Sequence, residues 1–514
     1  MDTAFTITTL ARRGLLKPGP PGQVVRQLAA LRRWGFGIGG ELRSAAARDP
    51  DRIAIIDERG PLRYGQLLER AETLAAGLRG SLGVAPGDRV GMMCRNHAGL
   101  IEAMAATSLL GVDSVLVNTG LSPAQLSSVA QEQGLRVLIH DAEFTEHAAA
   151  LPRTVTRLHE SIVDDVRRAA PRGTVQPPER DGRTIVLTSG TTGTPKGARR
   201  HTPDGFAPLA TIISRIPLHA RARMLIAAPV FHTWGLAALQ VGLGLRATMV
   251  LRRRFEPVDA LDAVRRYECE ALFAVPVMLQ RLLEVPTVPT PLGVVAVSGS
   301  ALPGGLATRF MNRYGDILYN LYGSTEASWV SIATPEELRR APNTAGRPPH
   351  GTQVAIVSHA GAPLPVGRTG RILVANGMLF EGYTNANQRN LQNGLLATGD
   401  LGHLDEDGLL YVDGREDDMI ISGGENVFPS EVEDLLAGLP QVREVAVVGV
   451  PDAEFGQRLA AWIALYPGEM LDADAVREYV RRNLARFAVP RDVHFVGALP
   501  RNATGKVVPR DLRY

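Results

Sequence analysis

The sequence predicts an α/β protein: a large unit of helix-covered, mostly parallel sheets with a β-rich subdomain, then a small α+β unit. Three observations predict it. Short apolar runs alternate with helical periods from Arg52 to His140 and again from Thr184 to Tyr319; strands that alternate with helices build parallel sheets with helices on their faces. Between Val354 and Val412 the helical periods thin and short β runs take over. From Gly414 onward an α+β pattern resumes. The expected division is a basic amphipathic N-terminal extension at 1–45, a large unit at 46–413 and a small one at 414–514.

In order, Ile53–Ile56 reads as a strand, Tyr64–Leu82 as a helix, Arg89–Cys94 as a strand and His97–Leu110 as a helix. Ser114–Val117 is the next strand. Ser122-Pro-Ala-Gln125 opens a further helix, because it sets a hydroxyl at the N-cap, proline at the first helical position and glutamine three residues on. Arg136–Ile139 is a strand, and Val163 to Gly182, rich in Pro, Arg and Asp, reads as a loop. Met224 to Leu245 lacks Asp, Glu, Lys and Arg and is long enough to span a bilayer. Pro229, His232 and Gln240 interrupt it, so a buried strand (Met224–Ala228), a proline stop and a buried helix are expected instead. Val354–Val357, Arg371–Ala375 and Leu409–Val412 supply the β subdomain. The last unit's helices are expected at Ser430-Glu-Val-Glu433, a second capping box, and near Asp472.

Composition narrows the function classes. Fifty-six basic residues nearly balance 53 acidic ones, and aromatics are 5%, so neither a nucleic-acid footprint nor a base-stacking platform is present. Cys94 and Cys269 lie far apart and form no CxxC or Cys/His cluster in the sequence, which argues against zinc and disulfides and for the reducing cytoplasm. Residues 3–40 carry six basic residues and no acid, with Val24, Leu28, Leu31 and Trp34 in an apolar stripe. A helix packed on the main body is the expectation; peripheral membrane contact through residues 10–40 is the alternative. Oligomeric state leaves no signal.

Only three of the basic residues are lysines: Lys17, Lys196 and Lys506. A lysine kept against that bias marks a place for a compact, mobile point charge. Lys196 ends Ser189-Gly-Thr-Thr-Gly-Thr-Pro-Lys-Gly197, directly after the β-branched run Thr184–Thr188. Its glycines allow close backbone approach, and its hydroxyls and lysine offer donors to phosphate. Pro195 and Gly197 break the nucleotide-triphosphatase pattern GxxxxGK[ST]. Gly35-Phe-Gly-Ile-Gly-Gly40 satisfies GxGxxG but follows no strand, and Arg252–Arg254 reads as a solvated strand end. Tyr64 is expected in the core.

The loop at 189–197 resembles the signature of the adenylate-forming superfamily, which spans acyl-CoA synthetases, luciferase-like enzymes and peptide-synthetase adenylation domains. Further segments resemble it in register: Pro229-Val-Phe-His232, Ser298-Gly-Ser-Ala-Leu-Pro303, Tyr322-Gly-Ser-Thr-Glu326, Thr398-Gly-Asp400, Asp413 to Gly424, and Pro500 to Lys506. The resemblance covers residue 50 to the end. It implies an ATP-dependent acid–CoA ligase working through acyl-AMP, with ATP, Mg²⁺ and coenzyme A, and a carboxylic acid as the partner molecule. It also implies a mobile small domain.

By that resemblance, Ser189, Gly190, Thr191, Thr192, Gly193, Thr194 and Lys196 hold phosphates, and Glu326 with Thr191 holds Mg²⁺. Thr325 touches the α-phosphate. Tyr322, with Gly323 and Ser324 behind it, lies on the adenine face, and Gly299, Ser300 and Ala301 run along its edge. Asp400 accepts the ribose hydroxyls and Arg415 reinforces them. His232 gates the acid pocket, with Trp234 beside the acyl group. Asp417 lies at the hinge; Ser422, Gly423 and Gly424 frame the CoA tunnel. Lys506 bridges the carboxylate and the α-phosphate. The resemblance points to a medium- or long-chain fatty acid, with an aryl acid, or a carrier protein as acceptor, as alternatives; a non-enzymatic nucleotide-binding regulator is disfavoured by the intact Lys196, Glu326, Asp400 and Lys506.

Overall fold

The computed structural model describes residues 3–17, 19–170, 175–188, 195–385, 391–422, 425–452 and 456–512. Strand pairing sorts them into four sheets. The first has eight strands in the spatial order Ser331–Ala333, Leu318–Tyr322, Val294–Val297, Ala271–Ala274, Arg223–Ile226, Thr248–Leu251, Ile53–Asp57, Gly60–Arg63. Its inner strands are parallel and only the two edges pair antiparallel. Val294–Val297, Ala271–Ala274 and Thr248–Leu251 are buried at every residue, as strands covered on both faces must be.

The second sheet is parallel from Thr156–His159 through Val137–His140, Arg89–Met93 and Asp113–Leu116 to Thr184–Thr188. There the chain reverses, and Lys196–Arg199 and Gly382–Tyr383 add antiparallel. A third, antiparallel sheet holds Gln353–Val357, Gly370–Ala375, Leu391–Gln392, Leu395–Leu404 and Leu410–Arg415. The fourth belongs to the small unit: Glu425–Val427, Ile420–Ser422, Gly456–Leu465 and Val442–Asp452, with Asp492–Phe495 parallel to Gly456–Leu465. Its helices Pro429–Ala437 and Ala473–Asn483 close a separate core around Val432, Leu436, Ile463, Val476 and Val480.

The apolar stretch at 224–245 resolves into the strand Arg223–Ile226 and the helix Thr233–Gly244, buried on nearly every side. No helix among the described residues is long and apolar enough to cross a membrane. The N-terminal helices Thr3–Arg12, Pro21–Trp34 and Ile38–Arg48 pack on the main body, where Leu10, Leu15, Ile38 and Leu42 join its core. Of the apolar stripe, Leu31 is buried, Trp34 lies 3.7 Å beneath the Arg43 guanidinium, and Leu28 stays exposed. The glycine pattern at 35–40 is the entry to Ile38–Arg48, packed against Leu109. Tyr64 is core, its hydroxyl donating to the Ala247 carbonyl at 2.7 Å.

Three local expectations fail. Val163 to Gly182 is not all loop: Glu160–Arg168 is helical, with Val166 buried and Arg167 paired to Glu102 and Asp164. The cap at Ser430 does not form. Helix Pro429–Ala437 starts one residue earlier; Ser430 donates to the Asp413 carbonyl, and Glu433 accepts the Val447 N–H at 2.7 Å. Arg253 and Arg254 are ion-paired, Arg253 to Asp141 at 2.9 Å and Glu160 at 2.6 Å, Arg254 to Glu143 at 2.8 Å. The cap at Ser122 forms as expected, and the helix expected near Asp472 is Ala473–Asn483, which Asp472 caps.

Candidate active site

A cavity of about 1580 Å³ opens where the eight-stranded sheet, the antiparallel sheet and the small unit meet. All the described residues assigned above to nucleotide, acid pocket, hinge and terminal lysine line it: Lys196, His232, Trp234, Gly299 to Ala301, Tyr322 to Glu326, Asp400, Arg415, Asp417 and Lys506. Ser189 to Thr194 lie outside the described residues, as do Gly423 and Gly424. Ser422 ends the strand Ile420–Ser422 and pairs through its backbone with Glu425 on one side and Gly456 on the other.

Lys196 opens the second strand of an antiparallel hairpin, directly opposite Thr188. Its ammonium lies 5.8 Å from the centre of the Tyr383 ring. The Tyr383 hydroxyl donates to Glu326 Oε1 at 2.8 Å, so one side chain neighbours both the cation and the carboxylate.

The segment Tyr322 to Glu326 leaves strand Leu318–Tyr322 and folds back at once. Val330 N donates to the Tyr322 carbonyl at 2.8 Å, and Ser328 N to the Ser324 carbonyl at 2.9 Å. Ser328 takes a left-handed φ of +65° to close the turn. Gly323 is required there, since a Cβ would lie 2.3 Å from the Ser328 carbonyl oxygen. Arg200, buried, fastens the turn from beneath: it donates to the Thr325 carbonyl and, at 2.8 Å, to Ser328 Oγ. Burial lowers the Arg200 pKa to about 10, against the attraction of Glu326. Thr325 Oγ1 shares a 2.8 Å hydrogen bond with Thr233, the first residue of helix Thr233–Gly244.

Asp400 sits across from Arg415 in the antiparallel ladder, and Arg415 Nη1 reaches its Oδ1 at 3.5 Å. The Tyr322 hydroxyl donates to the other oxygen. Burial raises the Asp400 pKa, with Tyr322 and Arg415 pulling the other way. Arg415 also donates to Asp417 at 3.0 Å, which holds that carboxylate's pKa down.

Trp234 is satisfied by the Ala274 carbonyl at 3.0 Å and packs against Phe273, leaving an apolar wall. Burial, helped by the Lys506 charge, pushes His232 down to about 4. An imidazole so placed stays neutral through physiological pH. Between that value and the ordinary one near 6.5 the unfolded chain binds a proton that the folded chain refuses, so this group makes stability fall as pH drops through that window. A histidine Cε1–H resonance titrating near pH 4, and absent from His232→Gln, is the expected NMR result.

Lys506 comes from the small unit. Asn502 Oδ1 gathers the N–H groups of Thr504 and Lys506, each at 3.0 Å, and the Thr504 hydroxyl at 2.7 Å. Gly505 takes φ +85° and leans on Val277 of the large unit. Burial first, and then the Arg415 charge, lower the Lys506 pKa, while Asp400 and Glu326 raise it.

Sequence reasoning missed Arg200, Tyr383 and Thr233. Arg200 follows the lysine strand closely, but nothing marks its partner 125 positions away. It also missed that folding sets Cys94, His97 and Asp141 together in the interior. Their donor atoms already serve the protein: His97 bonds Asp141 at 2.8 Å and Gly99 N at 3.1 Å, and Asp141 also takes Arg95 N.

Comparison with known proteins agrees with this arrangement. The AMP-binding enzyme family matches residues 42–384, and the AMP-binding enzyme C-terminal domain matches 431–506. A 2-succinylbenzoate–CoA ligase of Bacillus licheniformis is 32% identical over 480 residues, 92% of this chain and 98% of the relative. A feruloyl-CoA synthase of Amycolatopsis is 32% identical over 478 residues, 91% and 96% of the two chains. The o-succinylbenzoate CoA synthetase of Bacillus subtilis superposes in complex with its acyl-adenylate at a TM-score of 0.83 with 30% identity, covering 92% of this chain and 98% of the other. Its complex with ATP and magnesium superposes at 0.82. The chain therefore belongs to the AMP-binding enzyme family, as an adenylate-forming acid–CoA ligase that uses ATP, Mg²⁺ and coenzyme A.

Proposed function

We propose that this ligase activates an aryl acid, or an acid with an aryl body, as acyl-AMP and then transfers it to coenzyme A. The observation that carries the reading is the single cavity in which Lys196, Glu326, Asp400 and Lys506 converge and which continues along the apolar wall of Trp234 and Phe273. The relatives named above act on 2-succinylbenzoate and ferulate, which favours an aryl acid over the medium- or long-chain fatty acid that the sequence suggested. Pyrophosphate release across a panel of aryl and aliphatic acids, with and without CoA, tests it. Faster turnover of fatty acids than of every aryl acid overturns the choice; an adenylate that free CoA does not consume points to a carrier protein.

In this reading the chain's groups answer the central difficulty, two anions forced together. Lys196 and the loop before it neutralise the β- and γ-phosphates. Glu326 offers carboxylate oxygen, the donor a hard cation takes, with Tyr383 fixing its orientation. Mg²⁺, when bound there, screens phosphate charge. Asp400 and Arg415 receive the ribose, Tyr322 and residues 299–301 the adenine, and Lys506 the carboxylate and α-phosphate. Neutral His232 closes the acid pocket without adding charge. The large unit ends at about 413, Asp417 serves as hinge, and the small unit rotates to bring the loop at 422–424 over the cavity for CoA.

Lys196→Ala is expected to raise the barrier to adenylation by about 2–4 kcal/mol, with ATP dependence affected more than acid dependence. Steady-state kinetics with each substrate varied in turn checks this.

A further inference from the structure

The cavity extends beyond Trp234. It runs between the helices Ala207–Arg215 and Thr233–Gly244, past Leu209, Ile212, Ala237 and Val241, to helix Ile38–Arg48. There Glu41 and Ser44 line it, one helical turn apart on the same face.

Glu41 is out of place in this wall. Its Oε2 touches neither solvent nor a hydrogen-bond partner. The cations at hand are committed elsewhere: Arg43 pairs with Glu72 at 2.6 Å, and Arg246, on the cavity wall, with Asp49 at 2.9 Å. Burial alone pushes the Glu41 carboxyl well above the usual range. A buried polar group without a partner is costly, and few survive in a folded protein unless something completes them. Glu41 nevertheless lines the cavity and is only partly buried, so a molecule in the cavity reaches the side chain even though Oε2 is closed to water as it stands.

We propose that Glu41 is a specificity-determining residue, which hydrogen-bonds a hydroxyl carried by the substrate acid at the end remote from its carboxylate. The inference rests on the ligase reading above. A hydroxyl suits a carboxyl in either protonation state, because it both donates and accepts. Leu209, Ile212, Ala237 and Val241 favour an apolar body for the acid, with Gln240 the polar exception on the same helix as Ala237 and Val241, so its main polarity is expected at its two ends.

The test uses the full-length enzyme and pairs of arylalkanoic acids of graded length, each with and without a terminal hydroxyl, followed by pyrophosphate release. Wild type is expected to favour the hydroxylated member of the best-fitting pair by about tenfold or more in kcat/KM, mostly through KM. Glu41→Leu should erase or invert that preference and leave kcat for the plain acid near wild type. Glu41→Gln, which preserves shape and hydrogen bonding, should keep part of it; it carries the test if the leucine variant misfolds. Equal use of both members by wild type, or an unchanged preference in the variants, overturns the proposal. Failure of the ligase reading looks different: no acid of any kind would drive pyrophosphate release in wild type, and the proposal would fall with it.

Discussion

Lys506→Ala is expected to lower acyl-adenylate formation about a hundredfold or more, while thioester formation from supplied acyl-adenylate and CoA stays near wild type. The asymmetry follows from where the lysine comes from. It rides on the small unit, on a loop tied by Asn502, and enters a cavity whose Lys196, Glu326 and Asp400 come from the large unit. The ammonium feels the charges of Arg415, Asp400 and Glu326 inside the cavity and is partly desolvated there, so it is worth more to a developing anion than it would be in water. Lys506→Arg should rescue little, since a guanidinium presents a planar fork at a different distance. Single-turnover assays of each half-reaction measure the split. An equal fall in both would remove Lys506 from adenylation chemistry. The denaturation midpoint should hardly move, because the loop is fastened by Asn502 and not by the ammonium.

Arg200→Met is expected to do the opposite to stability. It removes the two donors that hold the Thr325 carbonyl and Ser328 Oγ, and leaves a buried carbonyl unpaired beneath a turn that contains a left-handed serine. The loss should be on the order of 3 kcal/mol, with a lower denaturation midpoint and a marked fall in adenylation as Thr325 and Glu326 lose their setting. Thermal denaturation of Arg200→Met beside Lys506→Ala separates a group that builds the site from one that visits it. A normal midpoint in the arginine variant would mean that the turn stands without it.

Much of this was readable in the chain. The alternation of apolar runs and helical periods located the parallel strands it named singly, from Ile53–Ile56 to Met224–Ala228, to within a residue or two, while those between Thr248 and Tyr322 were covered only by the general pattern. The lysine bias singled out Lys196 and Lys506, and the motif order brought their neighbours into one site. What escaped was set by tertiary contact. Ser430 has the sequence of a cap, yet its hydroxyl finds the Asp413 carbonyl across the junction of the two units and the helix starts elsewhere. Tyr383 lies 57 positions beyond the Glu326 it orients. Glu41 looks like an ordinary solvated acid of a helix's first turn until the fold turns it to the cavity with one oxygen closed to water.

The loop that carries Lys506 has one more consequence. Since this cation belongs to the small unit while Lys196, Glu326 and Asp400 belong to the large one, the electrical potential inside the cavity depends on where the small unit stands. On the proposed rotation the site surrenders a full positive charge just when it holds pyrophosphate and the acyl-adenylate. Anions that were gripped during adenylation then face a less welcoming field, and departure of the by-product is favoured by the same movement that admits the thiol. The order of events would be written into the charge balance, without any separate gate to enforce it.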